Sequence, residues 1–254
     1  MDIGLVLSGG GARGFAHIGV IQALEEMGLK FSRLSGTSAG SIVGALYANG
    51  YSPREIFEIT KRISIIKSVR PAWAWSGLLR MDGLEALLKQ HLPHNNFSQL
   101  KIPLTIAAVN IQNGTVKYFD EGNLIPAILA SCNIPVVFNP LSYQGASYVD
   151  GGLLDNLPSA PIRKQCRFLI GSHCNQVSDK YDPTNMITVI ERSMLIAIGA
   201  NANNSKKLLD VLVEPPGLDK YSSYDIGKAK EIYEIGYNFT KSNFKKEQFA
   251  QMME

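Results

Sequence analysis

Apolar positions along the chain follow two alternating rhythms. Ile3 to Leu7 is a short, almost unbroken apolar run, the pattern of a strand buried on both faces. Beyond a glycine-rich stretch at 8–14, Ile18, Ile21, Ala23, Leu24 and Met27 share one stripe of a helix predicted over Ala16–Met27, and Gly28 stops it. A weaker strand follows over Phe31–Ser35, then a sharp turn over Gly36–Gly40 and a helix over Ser41–Ala48 that ends at Gly50. Ser52-Pro53-Arg54-Glu55 has the form of a helix start, with serine as cap and proline at the first position. Residues 66–80 are irregular and aromatic, and Met81–His91 has helical spacing.

The second half continues the alternation. Leu104–Val109 reads as a strand, Asn113-Gly114 as a hairpin turn into Thr115–Phe119, and Leu124–Ser131 as a helix. Short strands are predicted over Ser147–Val149, ending at Asp150, over Arg167–Ser172 and over Val211–Val213. Helices are predicted over Thr184–Leu209 and Lys228–Lys245. Strands alternating with helices imply an α/β layered fold, and the hairpin implies a mixed sheet. No linker, repeat or low-complexity tract interrupts the pattern, so residues 1–254 are expected to form a single domain.

Composition narrows the function classes. Hydrophobic residues make up 45% of the 254 and charged residues 19%, an ordinary globular balance. A net charge of +3 is too small to argue for nucleic acid. Cys132, Cys166 and Cys174 include no pair at metal or redox spacing, which predicts free thiols in a reducing compartment and no metal site. An acid at position 2 and few apolar residues before the glycines do not read as a secretion signal, and no apolar run is long enough for a spanning helix. A soluble, cytoplasmic protein is the expectation.

Three glycine-bearing segments carry the candidate chemistry. Gly36-Thr37-Ser38-Ala39-Gly40 fits the Gly-x-Ser-x-Gly elbow, in which a serine sits on a strained strand-to-helix turn that only small neighbours allow. Such a turn lifts the hydroxyl clear of the sheet and aims the positive end of the next helix at the reacting oxygen. Ser8-Gly9-Gly10-Gly11-Ala12-Arg13-Gly14, between strand and helix, exposes backbone N–H groups that can converge on an anion. Gly9, Gly11 and Gly14 also satisfy the dinucleotide fingerprint, but the acid expected about 20 residues on for the ribose is missing.

A serine nucleophile needs a base. Ser38, Asp150 and His173 run in the chain order of α/β-hydrolases, yet only one strand–helix unit precedes Ser38 where those enzymes place several. His17, His91 and His94 suit packing, capping and loop positions. Asp150 closes a strand, and Gly151-Gly152 let the chain leave sharply and present the carboxylate at the strand end, where open α/β sheets place their sites. Both bases stay open on the residues alone.

Taken together, Gly9–Gly14, Gly36–Gly40 and Asp150-Gly151-Gly152 resemble the patatin-like phospholipase family in order and spacing, as do Ala130–Pro140 before the aspartate block and Leu153–Pro158 after it. The resemblance spans about residues 3–160, and no motif beyond 160 is matched. It implies a three-layer patatin-like fold, with a mixed, mostly parallel central sheet flanked by helices. It also implies hydrolysis of lipid acyl esters, phospholipid or lysophospholipid, through a Ser38–Asp150 dyad and an acyl-enzyme. Gly9, Gly10, Gly11 and Arg13 would form the oxyanion hole, with no cofactor. The alternatives are a non-catalytic regulatory or interaction protein on the same fold, and a dinucleotide-binding protein using Gly9–Gly14.

From Ile59 to Met81 the chain carries Lys61, Arg62, Lys67, Arg70 and Arg80, no acid, and both tryptophans, Trp73 and Trp75. Basic residues interleaved with aromatics suit an anionic membrane surface, and residues 61–80 are expected to form a lid or interfacial lip over Ser38. Replacing Trp73 and Trp75 by alanine is expected to weaken binding to anionic vesicles in a sedimentation assay; unchanged binding would remove the idea.

Overall fold

The computed structural model describes residues 2–62, 81–135, 137–177 and 186–250, the side chains of 187, 188 and 191 excepted. Eight strands form one sheet: β1 (Ile3–Leu7), β2 (Arg33–Thr37), β3 (Leu104–Asn110), β4 (Thr115–Phe119), β5 (Leu141–Tyr143), β6 (Ala146–Asp150), β7 (Phe168–Ser172) and β8 (Val211–Val213). The order is β5-β6-β3-β2-β1-β7-β8, with β4 also on β3. β1, β2, β3, β7 and β8 run parallel, β4 and β6 run antiparallel to β3, and β5 runs antiparallel to β6. Among the described residues the α-helices are α1 (Phe15–Glu26), α2 (Ala39–Asn49), α3 (Pro53–Lys61), α4 (Asp82–His91), α5 (Leu124–Ser131), α6 (Ala160–Arg163), α7 (Met186–Lys206) and α8 (Ala229–Asn243). The layered, mostly parallel architecture expected from the sequence is thus present.

Alternation along β1 sets the layers. Ile3, Leu5 and Leu7 face a large core that includes Ile18, Ile21 and Leu24 of α1, Leu46 of α2 and Ile232 of α8. Val6 faces the opposite side and packs with Leu157, Ile162 of α6, Leu169 and Ala202 of α7. Residues beyond 160 therefore contribute to both helical layers. Gly19 of α1 lies on the backbone of Tyr233 and Tyr237, and Gly236 of α8 lies on Ala16, so two glycines let these helices cross with their backbones in contact. At the start of α3, the Ser52 hydroxyl accepts from the Glu55 amide at 3.4 Å and the Glu55 carboxylate accepts from the Ser52 amide at 2.8 Å. This is the reciprocal cap its sequence predicts.

Three elements differ from the sequence reading, one of them the short α6, which it did not contain. β2 runs from Arg33 to Thr37 rather than from Phe31 to Ser35, although Ser35 and Thr37 are polar and buried. Their hydroxyls donate to the carbonyls of Pro158 (2.6 Å) and Asp155 (2.9 Å), so polarity here fastens the strand to the segment after Asp150. β5 escaped prediction because its three residues pair only through the Gln144-Gly145 turn, both at positive φ. The lid or lip expected over residues 61–80 falls almost wholly outside the described residues.

A Cβ at Gly236 has only the Ala16 carbonyl to move into, so Gly236→Ala should cost about 1–3 kcal/mol of stability. A urea melt reads it as a lower midpoint at unchanged slope; an unchanged midpoint would show that the helix crossing is loose.

Candidate active site

One edge of β3 holds the site together. Leu104 to Ala107 pair with β2, and Ala108 to Asn110 pair with β6. The opposite edge over Ile106–Asn110 belongs to β4, so β2 and β6 lie end to end along the same edge. β2 stops at Thr37 opposite Ala107, while the antiparallel β6 stops at Asp150 opposite Ala108. Two strands that approach from opposite directions therefore deliver Ser38 and Asp150 to one point. Gly151 lets them close, because a Cβ there would run into the Ala107 carbonyl and come within 3.0 Å of Thr37 Cγ2.

Ser38 occupies a backbone conformation that L-residues seldom adopt, φ 52° and ψ −121°, at a cost of about 1–3 kcal/mol. Surrounding contacts hold it there. Its amide donates to the Ser131 hydroxyl at 2.8 Å, and that hydroxyl donates to the Ala107 carbonyl at 2.6 Å. The Ser41 hydroxyl donates to the Ser38 carbonyl at 2.6 Å. Gly36 makes room for the Gly40 carbonyl, which a Cβ would meet at 2.6 Å, and Gly40 lies on the carbonyls of Leu7 and Ser8. α2 begins at Ala39, so its N-terminus opens directly at the serine.

Asp150 is buried, and its Oδ1 accepts from the Gly152 amide at 2.8 Å. Burial drives its carboxyl from the ordinary 3.8 up to about 6, against the opposing pull of hydrogen bonds from the Ser38 hydroxyl and the Gly152 amide. The carboxylate is thus a stronger base than an exposed aspartate, in hydrogen-bonding contact with the serine.

The glycine loop passes over this pair, fastened on three sides. The Gly9 amide donates to the Asn156 carbonyl (3.1 Å) and the Ala12 amide to the Ser223 carbonyl (2.8 Å), while the buried Arg13 sends its Nε–H to the Tyr221 carbonyl (2.7 Å). The Gly9 carbonyl accepts from Asn175 Nδ2 at 2.6 Å and from the Cys174 thiol at 3.3 Å. A trans peptide points its C=O and N–H in opposite directions, so anchoring the Gly9 carbonyl turns the Gly10 N–H the other way. Among the described residues the amides of Gly10 and Gly11 have no acceptor. Of the four residues expected at the oxyanion hole, Gly9 and Arg13 therefore spend the donors described here on the loop itself, and Gly10 and Gly11 keep theirs.

These groups line one cavity of about 160 Å³. Ser38, Asp150 and Gly9–Gly11 form its polar end; Ile134, Pro135, Val137 and Leu153, with Ile190, Met194, Leu195 and Ile198 of α7, form an apolar wall. No histidine lines it. His17 is held between the Ser8 carbonyl (Nε2, 2.9 Å) and the Ser172 hydroxyl (Nδ1, 2.7 Å), and burial lowers its pKa to about 4. A carbonyl only accepts, so Nε2 carries the proton. His173 binds Glu214 through Nδ1 at 2.5 Å. The start of α1 is covered by α2, with a Gly14 Cβ falling 2.6 Å from Ala39 Cβ. Among the described residues no cluster of acids, histidines or cysteines is arranged to hold a metal, and no helix is long and apolar enough to cross a membrane.

Sequence reasoning missed Ser131, Asn156, Asn175 and the α7 wall. Ser131 and Asn156 lie inside the Ala130–Pro140 and Leu153–Pro158 blocks, where Ser131 between Ala130 and Cys132, and Asn156 after Asp155 in an otherwise apolar run, were the available signals.

A serine elbow, a buried carboxylate and a glycine loop thus meet over one cavity with an apolar wall, on a mostly parallel sheet. Residues 5–161 match the patatin-like phospholipase family, and the chain belongs to it. Lysophospholipase NTE1 of Scheffersomyces stipitis is 28% identical over 276 residues, covering 95% of this chain and 18% of that protein. An uncharacterized NTE family protein of Mycobacterium bovis is 37% identical over 163 residues, 63% of this chain and 45% of that protein. The chain thus spans less than a fifth of the fungal relative's length. In structure, VipD from Legionella pneumophila shares the fold, with a TM-score of 0.56 at 16% identity over 95% of this chain and 66% of that one.

Raising a buried carboxyl costs stability where it must ionise. The folded state holds this proton more tightly than the unfolded chain, so stability falls as pH rises from about 4 to about 6 and stays lower above. Asp150→Asn keeps the acceptor for Gly152 and removes the charge. It should stabilise the fold by up to about 3 kcal/mol at pH 8 and by little at pH 4; equal effects at both pH values in thermal melts would contradict the burial argument.

Proposed function

We propose that this chain hydrolyses acyl esters of lipids, phospholipid or lysophospholipid, through Ser38 and Asp150. The observation that carries the reading is the end-to-end meeting of β2 and β6, which sets a strained serine against a buried carboxylate beneath two unspent amides. Ser38 Oγ attacks the ester carbonyl carbon as its proton passes to Asp150. The carbonyl oxygen becomes an oxyanion, received by the amides of Gly10 and Gly11 and by the N-terminus of α2. The carbon–oxygen bond to the alcohol then breaks, and the alcohol leaves with the proton from Asp150. Water gives a proton to Asp150 and attacks the acyl-serine; the bond from the carbonyl carbon to Ser38 Oγ breaks, Oγ takes that proton from Asp150, and the fatty acid leaves.

The apolar wall suits an acyl chain, and the name of the fungal relatives supports a lipid substrate. Leu153 and Ile190 line the cavity yet remain 38% and 40% exposed, so its rim is apolar where a lipid would enter. Peripheral contact with a lipid surface belongs to the same reading.

A fluorophosphonate is expected to label Ser38, and Ser38→Ala or Asp150→Asn to lower p-nitrophenyl ester hydrolysis by about a thousandfold or more. His173→Ala should fold with activity kept. Equal turnover by wild type and Ser38→Ala would leave a non-catalytic module on this fold. The base must be ionised, so kcat/KM should fall as pH drops through about 6. A histidine base would give a similar limb, which is why the substitutions and not the profile decide between them.

A further inference from the structure

The polar end of the cavity contains a side chain that the reaction above does not use. Asn156 is 1% exposed and lines the same cavity as Ser38 and Asp150. Its backbone is fully engaged, the amide donating to Asn201 Oδ1 at 3.1 Å and the carbonyl accepting from Gly9. Its carboxamide is not: among the described residues neither Nδ2 nor Oδ1 has a hydrogen-bond partner. Two glycines keep the space around it open. A Cβ on Gly9 would fall 2.6 Å from Asn156 Oδ1 and 3.2 Å from Ser38 Cβ, and a Cβ on Gly152 would fall 3.0 Å from Asn156 Oδ1 and from Asp150 Oδ1. The carboxamide therefore stands beside both members of the dyad.

A buried amide with both ends unpaired carries a desolvation cost that a structural residue would have no reason to bear. Its chemistry says what relieves that cost. An oxyanion or a second ester group only accepts and would leave Oδ1 unmatched. A hydroxyl donates and accepts at one atom, as does the water it would displace, and satisfies both ends, whichever way round the amide is placed. Resting on the reading of this cavity as an ester hydrolase site, we infer that Asn156 is a specificity residue: it binds a free hydroxyl next to the scissile ester, so the site takes monoacyl lipids with a vicinal hydroxyl in preference to esters lacking it.

The test compares kcat/KM for a 1-acyl-glycerophosphocholine and for the analogue without the 2-hydroxyl. Wild type should favour the first by at least about tenfold, because a buried group built to bond a hydroxyl rejects its absence. Asn156→Ala should bring the ratio to within about twofold of unity, with a thermal midpoint unchanged or raised. A wild-type ratio near unity, or a preference kept in Asn156→Ala, would overturn the inference. So would an equal loss on both substrates, which would make the carboxamide an oxyanion donor, or a large fall in the midpoint, which would make it a structural residue. If Asn156→Ala does not fold, the wild-type ratio still decides, and Asn156→Leu, of similar shape, repeats the comparison. Ser38-dependent hydrolysis of p-nitrophenyl butyrate with no hydroxyl preference sinks this inference alone; no Ser38-dependent hydrolysis of any ester sinks the hydrolase reading with it.

Discussion

Along one edge of β3, four residues pair with a strand that runs with it and three with a strand that runs against it. Backbone hydrogen bonding thereby fixes where two chain segments more than a hundred residues apart must end. The other features of the site follow from that register. Ser131 bridges the junction from below, between the Ser38 amide and the Ala107 carbonyl. The segment after Asp150 turns back across β2, where Ser35 and Thr37 hold it, and from there it presents the Asn156 carbonyl to the glycine loop. A slip of one residue in either pairing would turn the side chains to the other face and dismantle all of these contacts together.

The junction carries energetic costs that the surrounding structure must offset. Ser38 is held at positive φ, Asp150 is buried with a raised pKa, and the Asn156 side-chain amide has no partner among the described residues. Each costs on the order of 1–3 kcal/mol, large against the 5–15 kcal/mol of a typical domain. The compensation lies in the layers on either side of the sheet, where β1 faces one apolar cluster through Ile3, Leu5 and Leu7 and another through Val6.

Much of this was legible in the sequence, for identifiable reasons. β1 and the glycine loop announce themselves because a buried parallel strand reads as an apolar run, and a loop of consecutive glycines has few other uses. The elbow and the Asp150 block are recognisable because close backbone approach excludes side chains at Gly36, Gly40 and Gly151. β2 was displaced by two residues because hydroxyls that bond carbonyls in the second layer look, in a sequence, like surface polarity. Asn156 and Ser131 were illegible as site residues, since a single polar side chain has no period and its importance lies in partners far along the chain. The division of labour within the glycine loop was equally hidden: which amides are spent and which are kept depends on Asn156, Asn175 and Tyr221, none of them near the loop in sequence.

The cavity has one further property. Ser38, Asp150 and Gly9–Gly11 lie inside the stretch that matches the family, whereas Ile190, Met194, Leu195 and Ile198, half of the apolar wall, come from a helix beyond it. On the proposed function, the reacting groups are written in the first passage and part of the fit to a hydrophobic tail in the second. Mutation can redraw the second without editing the first, so such a scaffold can diversify its preferences over evolutionary time while its chemistry stays fixed.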